Sequence, residues 1–76
     1  MTAAEVIATL TRAREDQGLK RGRVAALLGK CRASIHRWET RRCSPPLDSV
    51  VAWAAVLGYW LALIPTDQAD GDGEAA

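Results

Sequence analysis

The chain is 76 residues long, 49% hydrophobic and 25% charged, which fits one small globular domain and excludes a disordered protein. Its formal net charge of +1 hides an asymmetry: residues 1–46 hold all ten Lys and Arg against Glu5, Glu15, Asp16 and Glu39, whereas residues 47–76 hold five acids and no base. Such a basic block is an electrostatic footprint whose commonest partner is phosphate, a solvated charged surface being the plainer alternative.

Residues 3–17 are expected to form the first helix. Ala4, Ile7, Ala8, Leu10 or Thr11, and Arg14 follow helical spacing, with no Gly or Pro between them. Thr2 and Glu5 have the spacing of a capping box, and Gly18 suits a left-handed stop. Leu19 then turns into the core. A second helix runs from 20 or 21 to 28, with Val24, Ala25 and Leu28 inward; Gly22 weakens it by roughly 1 kcal/mol relative to Ala. Gly29 ends it. Cys31 stands where an N-cap is expected, and Arg32 to Thr40 make the third helix. Ile35 and Trp38 point inward there, leaving Arg32, Ala33, His36 and Arg37 outside.

The following loop carries Arg41 and Arg42 and ends at Pro45-Pro46. Residues 47–57 give the fourth helix, with Leu47, Val50, Trp53, Ala54 and Leu57 at helical spacing and Gly58 at its end. Tyr59–Ile64 is rich in aromatic and branched residues, too short for a helix of its own, and closed by Pro65; it reads as a strand. From Pro65 onward the chain is acidic with no apolar pattern and is expected to be disordered. Its Asp-x-Asp spacing lacks the length and the terminal Glu of a calcium loop. The expected fold is therefore mostly α: four helices and one short C-terminal β-strand in a domain at 1–64, then an acidic tail at 65–76.

Cys31 and Cys43 form no Cys-x-x-Cys pair, and with one histidine there is no zinc set. A helix between them would hold their Cα atoms further apart than a disulfide spans, so two reduced thiols in a cytoplasmic protein are expected. No secretory leader is evident. The chain has no nucleophile–base set, no phosphate-cradling glycine loop and no metal cluster. It reads as a non-enzyme without a cofactor.

Taken together, the residues from Arg14 to Leu57 resemble the Cro/phage-repressor (XRE) type of helix-turn-helix domain. The resemblance is carried by R-E-D-Q-G-L at 14–19, V-A-x-L-L-G at 24–29 and S-I-H-R-W-E at 34–39, extended by Pro45, Leu47 and A-x-x-L-G at 54–58. It implies that the third helix lies in the DNA major groove with the second crossing the backbone. It makes Arg32, Ala33 and Arg37 the base-edge candidates, with His36 a lesser one. An arginine fork pairs with O6 and N7 of guanine, worth roughly 1–3 kcal/mol of discrimination. Arg21, Lys30, Ser34, Arg41 and Arg42 become the phosphate candidates, and Arg14 and Glu39 match a pair that braces the first helix against the third. Three residues depart from the pattern. Lys20 replaces the usual Ser or Thr cap, Gly22 replaces a good helix former, and Arg41 stands where Gly often ends the third helix.

From Ser49 to Pro65 no side chain is charged. The apolar run is too short and too broken by Gly58 and Pro65 to span a membrane. It is also too apolar for one small core: Val51, Ala52, Ala55 and Val56 are left over on the fourth helix, and Tyr59–Ile64 is apolar on both faces. Such a patch marks an interface. The expectation is a homodimer in which Val56, Tyr59, Trp60, Leu61, Ala62, Leu63 and Ile64 meet a second copy; the alternative is that the strand folds back over its own core. Antitoxin-type repressors, which this chain resembles here, end in a strand of this kind. Two functions are left: a homodimeric repressor on a palindromic operator, or an antitoxin-type module that also holds a partner toxin.

Overall fold

The computed structural model describes residues 1–65; the acidic tail expected at 66–76 lies outside them. Four helices follow one another: α1 (Ala3–Asp16), α2 (Arg21–Leu28), α3 (Arg32–Glu39) and α4 (Leu47–Val56). α1 opens with a complete capping box. Glu5 N donates to Thr2 Oγ1 (3.2 Å), and Thr2 N donates to Glu5 Oε1 (2.7 Å). Lys20, Cys31 and Pro46, the N-caps of the other three, supply no side-chain hydrogen bond to the helix backbone. α2 and α3 have eight residues each, fewer than an isolated helix needs to persist in water. Their stability must come from packing.

All four helices close with the same six-residue hydrogen bond. Leu19 N donates to Arg14 O (3.1 Å), Lys30 N to Ala25 O (2.8 Å), Arg42 N to Arg37 O (2.9 Å) and Tyr59 N to Ala54 O (2.8 Å). This closure places one residue in the left-handed region. Gly18, Gly29 and Gly58 meet that demand without strain, but at the end of α3 it falls on Arg41, at φ +64°.

The core draws on every helix: Ile7, Leu10 and Ala13 from α1, Val24 and Ala25 from α2, Ile35 and Trp38 from α3, and Trp53, Ala54 and Leu57 in and just after α4. Val6, Leu19, Leu28 and Val50 pack around it, half-buried. α2 lies against both α3 and α4, and α1 against α3. The Trp38 and Trp53 rings meet at 5.8 Å between centroids, tilted by 39°. Trp53 Nε1 is buried with no hydrogen-bond partner among the described residues. Gln17 Nε2 donates to Leu57 O (2.8 Å), tying the end of α1 to the end of α4.

Three expectations need correction. Tyr59–Ile64 is not a strand: the described residues contain no β-strand. A strand needs a paired edge, every other described element is a helix or loop, and the Tyr59 N–H is already used to close α4. The segment instead runs as an extended arm. Leu61 shares one shallow groove with Val6, Leu47 and Val50, and a second with Leu10, Ala54 and Trp60. Leu47 does not point into the core; it is 73% exposed, because it begins α4 one turn before Val50, where cover is already incomplete. On α1, Ala4 and Ala8 are exposed and the buried stripe runs through Ile7, Leu10, Ala13 and Arg14. The bulkier Val6 flanks that stripe, since a single methyl offers little area to bury. No helix among the described residues is long and apolar enough to cross a membrane.

Candidate nucleic-acid interface

The segment Gly29-Lys30-Cys31 turns the chain from α2 into α3. With Ile35 and Trp38 buried, the spacing of α3 leaves Arg32, Ala33, His36 and Arg37 exposed together on one face. Lys30 flanks this face at its start and Arg41 and Arg42 at its end, all three exposed. A Cβ on Gly22 would lie 3.9 Å from Arg32 Cδ, so the stem of Arg32 runs alongside the first turn of α2. This brings the two helices' basic residues to a shared edge.

Ser34 is half-buried, and its Oγ lies 3.4 Å from Cys31 Sγ. That contact, with the Ser34 backbone amide nearby as a lesser cause, holds the exposed Cys31 thiol below its ordinary pKa. Both cysteines are free and exposed.

At the end of α3 lies a charged cluster. Glu39 ends α3 with its side chain only 2% exposed. Its Oε2 accepts from Arg14 Nε (2.7 Å) and its Oε1 from Arg14 Nη2 (3.2 Å). Arg14 Nη1 donates to Leu19 O (2.8 Å), so this buried guanidinium uses all three of its nitrogens. The same carboxylate takes a second arginine: Arg21 Nε donates to Glu39 Oε1 at 2.7 Å. Arg21, expected only at phosphate, is thus half in the scaffold. The Arg14–Glu39 pair is the one the resemblance implied, whereas the side-chain pattern could not reveal the Arg21 contact, whose partners are 18 residues apart in sequence.

Lys20, expected only as a poor cap, and Arg23, absent from the expected contacts, are exposed at the start of α2. Like Lys30, Arg32, Arg37, Arg41 and Arg42, they have no carboxylate within ion-pair reach among the described residues. The signal that would have found them is plain charge density: from 20 to 42 eight bases face one acid, and that acid is committed. Among the described residues the result is a cationic surface without paired carboxylates surrounding an arginine-bearing helix face, which suits a polyanion with readable edges.

The expected dimer residues lie elsewhere. Val56 is half-buried, whereas Tyr59, Trp60, Leu61, Ala62, Leu63 and Ile64 are exposed along the arm, Trp60 to 93% and Leu63 fully.

A family model described as a helix-turn-helix domain matches residues 7–63. No curated protein and no solved structure matches the chain.

Proposed function

Because the chain belongs to the helix-turn-helix domain family, and so is a DNA-binding regulator of transcription, we propose that it is a sequence-specific repressor of the Cro/phage-repressor (XRE) type. It acts in the cytoplasm of a bacterial host, as a homodimer on a palindromic operator. The observation that carries this reading is the exposed face of α3, where Arg32, Ala33, His36 and Arg37 stand clear over a buried Ile35 and Trp38. Arg32 and Arg37 read guanine edges, Ala33 meets a thymine methyl, and His36 lies beside them. Arg21, Lys30, Ser34, Arg41 and Arg42 grip the backbone, so binding weakens steeply as salt is raised.

The uncovered arm supports the dimer. Val56 and Tyr59–Ile64 give a charge-free surface that a second copy covers about a two-fold axis. Two reading helices then fall about one turn of DNA apart, roughly 34 Å. A second reading draws on the same arm: an antitoxin-type module whose apolar surface also holds a toxin protein. No catalytic role is proposed.

Selection of bound sites from random DNA tests the proposal. Two inverted half-sites about one helical turn apart are expected; a single unrepeated site would rule out the dimeric mode. Within the selected site, Arg37→Ala is expected to lose discrimination against random DNA, and Arg42→Ala to weaken both alike.

A further inference from the structure

Glu39 holds two arginines, and it holds them differently. Arg14 is consumed: buried, with all three nitrogens donated inside the fold. Arg21 gives only Nε, its side chain is 34% exposed, and its two Nη atoms have no partner among the described residues. Arg14 also has the exposed Glu15 carboxylate 3.7 Å from its Nη2, so of the two guanidinium groups on Glu39 it is Arg21 whose charge stands at the surface. A guanidinium gripped through Nε presents its free Nη edge in a fixed direction, which a lysine ammonium cannot do.

We propose that Glu39 is a positioning residue for DNA binding: it presets Arg21 so that the free Nη edge receives a backbone phosphate. This rests on the DNA reading above and deepens it. One carboxylate then joins the last turn of α3, which carries the bases' readers, to the first turn of α2, which grips the backbone. Ordering a long side chain on binding normally weakens association; here the fold has already ordered it. Prior ordering of one such side chain corresponds to roughly 2–10-fold in affinity.

Arg21→Lys and Arg21→Ala, compared with wild type on a random-sequence duplex at several salt concentrations, test this. Arg21→Lys keeps the charge and loses the fork. It is expected to bind roughly 2–10-fold more weakly with the salt slope kept. Arg21→Ala is expected to bind more weakly still, with the slope of log K against log salt reduced by about 0.9. A purely bracing role would lower the melting temperature and leave that slope alone. If Arg21→Ala melts lower but keeps wild-type affinity and slope, Arg21 is only a brace and the inference falls while the DNA reading stands. If Arg21→Lys binds as tightly as wild type, the preset fork is not used and Glu39 positions nothing. Glu39→Gln, where it folds, is expected to match Arg21→Lys and to add nothing when combined with it; additive losses would also overturn the coupling. A wild-type protein that fails to bind any duplex sinks the DNA reading itself.

Discussion

Arg41 is the residue at which local geometry and local chemistry disagree. The hydrogen bond that closes α3 demands a left-handed residue, and an L side chain there costs on the order of 1 kcal/mol. Three sister positions carry Gly; this one carries a cation beside the exposed basic face of α3. Arg41→Gly is therefore expected to raise stability by up to about 1 kcal/mol in urea titration, while lowering DNA affinity and reducing the salt slope by about 0.9. Stability and binding moving the same way would remove the reason for the arginine. Cys31 offers a second test at this scale. Ser34 lowers its thiol pKa, so near neutral pH the folded protein carries more thiolate than an unperturbed cysteine would. Alkylation at Cys31 should be faster in the native protein than in urea, and Ser34→Ala should remove most of that advantage. A rate indifferent to Ser34 would deny the contact.

At the level of elements, the helix boundaries were legible because the sequence writes its own punctuation. Thr2 and Glu5 set the start of α1, and Gly18, Gly29 and Gly58 mark left-handed stops; the four helices fall within a residue or so of the expected limits. The exposed face of α3 was legible for the same reason, since Ile35 and Trp38 fix its rotation. What periodicity could not supply was partnership. A strand at 59–64 depends on a neighbour that no local pattern specifies, Leu47 depends on how far the cover extends, and the Arg21–Glu39 contact joins residues that only the packing of α2 on α3 brings together. Gly22 illustrates the converse. It looked like a plain weakness in α2, and the structure shows room to repair it, since an added Cβ would meet only Arg32 Cδ at ordinary contact distance. Gly22→Ala is expected to stabilise the domain by roughly 1 kcal/mol, read from thermal or urea unfolding. A loss of stability would mean that the stem of Arg32 cannot accept even a methyl.

For the whole molecule, the division of labour is between a basic end and an uncharged arm. Trp60 and Leu63 touch little of their own chain, so a charge placed there tests association without entering the core. Leu63→Asp is expected to leave the helical circular dichroism spectrum unchanged and to reduce the sedimenting mass to that of one chain. Its affinity for a palindromic site should then fall to that of a half-site. An unaltered mass would move the dimer contact off the arm. The uncovered methyls of Val51 and Ala55 on α4 would be the next surface to charge.

The three tryptophans divide between these two regions. Trp38 and Trp53 meet inside the domain, whereas Trp60 is exposed on the arm. The protein therefore carries two optical channels without a label. The buried pair is expected to emit towards the blue, to report the integrity of the core and to be shielded from acrylamide. Trp60 is expected to emit towards the red and to be open to the quencher. Covering the arm should shift and protect only the second signal, so with Trp60→Phe as the blank, folding and assembly can be followed separately in one cuvette.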